Sequence, residues 1–248
     1  MRVAVAGGTG RIGALVVQRL TEAAHTPVSL SRSEGVDLLT GEGLAERLTG
    51  VDALIDVSNP MVGDADEAER VFTAVAQNLL DTGTAAGVRH LVLLSIAGLD
   101  RVVGNPHYAG KRAQERAVRS GSLPWTVLRA TQFHDFPAMI AEWAVADGEA
   151  HVPPLLLQPI APGDVADALV SAALGTPAGG TIEIAGPRTE DAVDMARRTF
   201  AARGVPQPIL ATWRGAALGI EFAGEALIPG DGVRIAPTSF DDWLSAGA

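Results

Sequence analysis

The chain has no cysteine, one lysine, one tyrosine and no run of basic residues. Without thiols there is no disulfide framework and no thiolate nucleophile. Five histidines are scattered over 248 residues, and the Asp164/Asp167 pair has no histidine beside it, so no metal centre is expected. Nineteen Lys and Arg stand against 29 Asp and Glu, a formal charge of −10, which gives binding to nucleic acid or to an anionic membrane surface little electrostatic support. No apolar stretch reaches the roughly 18 residues of a spanning helix. A first strand beginning at the second residue leads to the expectation of no signal peptide. These absences lead to the expectation of a soluble, cytoplasmic protein, monomer or homodimer, whose partner is a small molecule. With no repeat, no low-complexity linker and 47% hydrophobic residues, the chain suits a single core.

What is present begins at once. Val3-Ala4-Val5-Ala6 is a short apolar run that breaks into Gly7-Gly8-Thr9-Gly10-Arg11-Ile12-Gly13, after which Ile12, Leu15, Val16 and Leu20 recur at helical spacing. Strand, tight turn and helix follow one another. Gly8-x-Gly10-x-x-Gly13 has the dinucleotide-binding spacing: one glycine for the turn, one for backbone approach to phosphate, one for close helix packing. The unpaired N–H groups and positive end of the helix would then face a pyrophosphate, with Gly7, Thr9, Gly10, Arg11, Ile12 and Gly13 around it. Outside such a context the same spacing is an ordinary strand-to-helix turn.

Further candidates come at later strand ends. Thr26–Leu30 is a second strand running into Ser31-Arg32-Ser33, where no acidic residue awaits a ribose hydroxyl; an arginine between two serines suits a 2′-phosphate, with Arg11 as a second cation, or is simply solvated. The expected cofactor is NADP(H) in preference to NAD(H). Val51–Val57 reads as a third strand, and Val57, Ser58 and Asn59 line the ribose or nicotinamide side or close a turn before Pro60. A long helix follows over about 66–84, then the apolar strand Arg89–Ser95, whose terminal Ser95 emerges at the same rim or acts as a cap. Asn105 to Arg119 is helical, and on it His107 and Tyr108 both share a face with Lys111. Wherever positive charge sufficed this sequence used arginine, so its one ammonium is expected to do what a guanidinium cannot. The strand Trp125–Arg129 leads to Gln132, Phe133 and His134, candidate substrate contacts; His134 would orient a carbonyl or cap the helix over about 137–146. Beyond an irregular stretch with three prolines, Asp164 is a plausible cap for a helix. Thr181–Ala185 alternates as a strand, a helix begins near Thr189, and the remainder carries no legible chemistry.

The glycine loop, Leu94-Ser95, Lys111-Arg112-Ala113-Gln114-Glu115, Leu128 to His134 and Pro159 to Ala166, taken in order, resemble the atypical short-chain dehydrogenase/reductases, specifically the NmrA-like NAD(P)-binding group. The likeness covers about the first 185 residues. It implies an α/β fold, a Rossmann-type doubly wound parallel sheet with a small C-terminal substrate lobe. The division it suggests is a dinucleotide-binding core over 1–131 with returning elements near 159–185, and a lobe from 132–158 and 186–248 in the same compact unit. In active members a serine polarises the substrate carbonyl, a tyrosine four residues before the lysine donates the proton, and the lysine holds the nicotinamide ribose. Ser95 and Lys111 match that pattern. His107 takes the tyrosine's place, and Tyr108 comes one residue late, about 100° round the helix. Two readings follow: an NADPH-dependent reductase of a small apolar or aromatic carbonyl or quinone-type substrate, with His107 or Tyr108 as proton donor, or a non-catalytic dinucleotide sensor.

Overall fold

A computed structural model describes residues 1–247. Alternating apolar strands and amphipathic helices begin with β1 (Arg2–Ala6), α1 (Arg11–Glu22), β2 (Thr26–Leu30), α2 (Leu44–Arg47) and β3 (Ala53–Asp56). They continue through α3 (Ala65–Ala85), β4 (Leu91–Ile96), α4 (Pro106–Ser120), β5 (Trp125–Ala130) and α5 (Phe136–Trp143). Three short strands follow, β6 (Val145–Ala146), β7 (Glu149–Val152) and β8 (Leu156–Leu157), then α6 (Pro162–Leu174), β9 (Thr181–Ala185), β10 (Glu190–Asp191) and α7 (Ala192–Ala202). The chain closes with β11 (Ile209–Ala211), β12 (Arg234–Ile235) and α8 (Phe240–Ser245).

Seven strands form one sheet in the order β12-β9-β5-β4-β3-β1-β2, every neighbouring pair parallel. Parallel strands need both faces covered, which is why β1, β3 and β4 are continuous apolar runs. One face packs Val75, Leu79 and Leu44 of α3 and α2 on Ala4, Leu54 and Leu91. The other packs Val16 and Leu20 of α1 and Val165 and Leu169 of α6 on Val3, Ile55 and Val92. Strand order reverses between β1 and β3, and ligands of doubly wound sheets lie in the crevice at the carboxyl ends of strands at such a switch point. A third cluster, built by α5, α7 and the C-terminal segment, includes Ile140, Met195, Phe222 and Phe240 and lies against Tyr108.

Two expectations need correcting. Asp164 does not cap α6, whose N-cap is Ala161 without a side-chain bond; its carboxylate instead takes the backbone N–H and hydroxyl of Thr238 at 3.0 and 2.9 Å, fastening the C-terminal segment. That segment also returns a strand to the sheet, since β12 pairs with β9, which the sequence-based division into core and lobe did not foresee.

Candidate active site

The glycine loop is tight because it has to be. A Cβ on Gly13 would stand 2.0 Å from the Gly7 carbonyl oxygen, and one on Gly8 would stand 2.5 Å from Ser29 Oγ. Gly7 adopts a φ of +81° and lies against the backbone of Val57 and Ser58, so the loop after β1 and the turn after β3 form facing walls. Gly10 is the N-cap of α1 and contributes no side-chain bond, leaving the first-turn N–H groups open. Thr9, Gly10 and Arg11 are exposed, whereas Ile12 and Gly13 are buried beneath them.

The carboxyl ends of β4 and β5 present polar atoms that are buried yet have no partner, Ser95 Oγ, Thr131 Oγ1 and Gln132 Oε1, while the Ser58 hydroxyl after β3 lies against the Asp56 carboxyl. A buried polar group left unpaired costs about 1–3 kcal/mol, so three at adjoining strand ends point to a hydrogen-bonding ligand. This donor and acceptor set, beside a cradle that any Cβ would fill, fits a dinucleotide. Val57 is half-buried and Asn59 exposed on the same turn.

Helix α4 delivers the remaining groups. Asn105 caps it through the Tyr108 N–H, and Glu115 clamps it to β5 through two 2.8 Å bonds from Arg129. Lys111 is 5% exposed; its Nζ donates to the Leu94 carbonyl at 2.7 Å, next to Ser95, and to Gln114 Oε1 at 2.5 Å. Burial pulls the ammonium down to about 8 against the opposing pull of Asp56 and Glu115. Residues 107 and 108 part company. His107 lies edge-on to Phe72 at 5.7 Å, on the ring that also faces Lys111, and burial with the nearby ammonium pushes its imidazole down to about 4. Tyr108 turns toward the lobe, edge-on to Phe222 at 5.4 Å, and its hydroxyl accepts from Gln132 Nε2 at 3.3 Å. Burial raises the phenol well above its usual range.

His134 and Arg11 each have a partner within the protein. His134 is 1% exposed, bonded through Nε2 to the Thr238 carbonyl oxygen at 3.1 Å and packed against the stacked rings of Phe240 and Trp243, and it does not cap α5, whose N-cap is Asp135. Arg11 is paired with Asp135 and lies over the Phe133 ring, which spans the mouth from the glycine loop to the β5–α5 loop instead of leaving the guanidinium free. Phe133 itself is half-buried and bridges to Ile160. Arg32, by contrast, is exposed and engages no carboxylate among the described residues, with the Ser31 and Ser33 hydroxyls 3.0 Å apart beside it. Glu34, the nearest acid, is held by Arg47.

The NAD(P)H-binding family profile matches residues 7–175. The chain belongs to that family. It is 31% identical over 245 residues to a (4-alkanoyl-5-oxo-2,5-dihydrofuran-3-yl)methyl phosphate reductase of Streptomyces griseus subsp. griseus, covering 91% of this chain and 80% of the relative. It is 27% identical over 159 residues to the photosystem II assembly factor Ycf39 of a Synechocystis species, spanning 58% of this chain but only 48% of that protein. Among solved structures, a short-chain dehydrogenase/reductase superfamily protein of Agrobacterium tumefaciens with bound NAD superposes with a TM-score of 0.69 at 19% identity, covering 99% of this chain and 95% of that one. A Citrobacter triphenylmethane reductase complexed with NADP(H) gives 0.64 at 19% identity, covering 100% of this chain and 84% of that one.

Within this fold three residues beside the candidate site were not named from the sequence: Asp56, Gln114 and Thr131. A signal existed for two of them. Asp56 is a carboxylate inside an otherwise apolar strand, and Gln114 stands three residues from Lys111 on a helix.

Proposed function

We propose that this family member is an NADPH-dependent reductase of a small, apolar, conjugated carbonyl compound of the quinone or acyl-lactone kind. The observation carrying the proposal is the buried, unpartnered Ser95 hydroxyl on the strand end where Lys111 is anchored. When bound, the reduced dinucleotide supplies the hydride and is left oxidised. Ser95 donates to the substrate oxygen, which takes the displaced π-electron pair as the acceptor carbon gains hydrogen. Tyr108 stays protonated because burial raises its phenol. Its oxygen accepts from Gln132, so its own O–H is free to deliver a proton to that oxygen, completing a two-electron, two-proton reduction. His107, neutral through the physiological range, lines the wall. Lys111 offers its remaining N–H to the ribose, and Arg32 with Ser31 and Ser33 receives the 2′-phosphate.

The reading accords with the Streptomyces relative, whose named substrate holds a ring double bond next to an oxo group. Fluorescence titration with NADPH and NADH, followed by cofactor consumption with quinones, acyl butenolides, ketones and aldehydes, tests it. Arg32→Ala is expected to weaken NADPH about tenfold, near 1.4 kcal/mol, and leave NADH unchanged. Equal losses for both would remove the phosphate assignment; binding without turnover on any acceptor would leave a sensor.

A further inference from the structure

Asp56 and Gln114 take no part in the steps above, yet both are sealed away from water, at 1% and 0% exposure. Asp56 ends β3. One of its oxygens accepts from the Ser58 N–H at 2.9 Å and the other from Gln114 Nε2 at 2.8 Å. Gln114 Oε1 in turn accepts from Lys111 Nζ at 2.5 Å. An amide has one accepting and one donating end, so Gln114 meets an ammonium with its oxygen and a carboxylate with its nitrogen only in the orientation found here. Burial drives the Asp56 carboxyl up toward its neutral form, opposed by the Lys111 charge and by the hydrogen bonds from Ser58 and Gln114; carboxyl and ammonium never touch and are joined through one neutral side chain. Each would be expensive alone: an isolated buried ion shifts toward its neutral form. The same carboxylate fixes the Ser58 turn, the wall on which Gly7 rests.

We infer that Asp56 and Gln114 are a positioning pair for Lys111, the carboxylate acting through the amide to keep the ammonium charged and aimed beside the Leu94 carbonyl. With two of its three N–H groups spent on Leu94 and Gln114, one is left for a ligand oxygen at the strand ends. The other groups around the ammonium are few. Glu115 and His107 share its helix, α3 contributes the Phe72 ring at 5.7 Å, and β4 contributes only a carbonyl. The effect on cofactor binding rests on the function proposed above; the placement of the ammonium does not.

Because the chain has a single lysine, protein grown with 15N-lysine gives one side-chain amine signal, and its pH titration in the ligand-free protein reads the pair directly. Asp56→Asn removes the distant negative charge and is expected to lower the midpoint by about one pH unit or more. Gln114→Glu keeps the shape and sets a second carboxyl against Asp56; the two share one proton across the 2.8 Å contact, so a negative charge moves up against the ammonium and the midpoint is expected to rise. Opposite shifts from two conservative variants are something a merely structural role would not produce. If Asp56→Asn does not fold, Gln114→Glu against wild type decides alone. Coincident titrations would overturn the assignment. In the same variants NADPH affinity should fall about tenfold for Asp56→Asn. Since the titration needs no dinucleotide, a chain that failed to bind NADPH would sink the proposed function and leave this comparison intact.

Discussion

At position 107 an imidazole stands where the resemblance to short-chain dehydrogenase/reductases implies a phenol, and its surroundings decide what it can do. Held near 4, His107 is uncharged above about pH 5 and is a poor acid. The turnover profile should therefore lack the limb near pH 6.5 that an ordinary histidine gives. His107→Phe is expected to leave kcat within a few-fold, Tyr108→Phe to lower it about tenfold, and Ser95→Ala to lower it about a hundredfold with KM little changed, measured by steady-state NADPH consumption. A larger loss from His107→Phe than from Tyr108→Phe would reverse the donor assignment. Linkage gives His107 a second readout. Its folded value lies below the unfolded value near 6.5, so the unfolded chain binds more protons between about pH 4 and 6.5 and stability climbs with pH across that window, being complete above it. Urea midpoints of His107→Phe should lose that part of the slope. Ser95 could be named as a candidate from the sequence because it closes an apolar strand, and Lys111 because it is the one lysine of the chain. Asp56 and Gln114 carried only a weak signal and Thr131 none, because their contacts exist only once β3, α4 and β5 are side by side. His134 misled as a cap for α5 because the aromatic pair it packs against lies 106 to 109 residues further on.

Helix α4 sits where it does because Gly110 lets Phe72 of α3 come close: a Cβ there would stand 2.5 Å from the ring. The same ring backs His107 and Lys111. Gly110→Ala is expected to cost about 1–3 kcal/mol by overpacking, and Phe72→Leu in that background to return part of it, read from chemical denaturation. Absence of rescue would mean that the strain lies elsewhere. Most regular elements were readable to within a residue or two, since β-branched runs and 3.6-residue spacing are local signals: α3, expected over 66–84, runs Ala65–Ala85, whereas α5 stops three residues short of 146 and α7 starts three residues after Thr189, where short strands intervene. Short pieces were not. The two-residue strands β8, β10 and β12 exist through pairing with distant partners, β6 is one arm of a tight hairpin with β7, and none leaves a periodic trace.

For the molecule as a whole, the crevice at the switch point is lined by segments from both halves of the sheet and closed on its outer side by the Arg11–Asp135 pair. A ligand bound there should tie the whole fold together. At a hundred times its dissociation constant NADPH adds about 2.7 kcal/mol, worth roughly 5–10 °C in Tm for a domain of this size. Calorimetry showing no rise with either NADPH or NADH would contradict the crevice as the binding site. No helix among the described residues is long and apolar enough to cross a membrane.

The burial of Lys111 has a practical consequence for chemical modification. Acylating or methylating reagents find no side-chain amine on the folded surface, so covalent labelling at this residue waits for α4 to lift away from β4. The rate at which that one adduct forms is a clock for opening of the crevice, and whatever ligand seals the crevice should slow it.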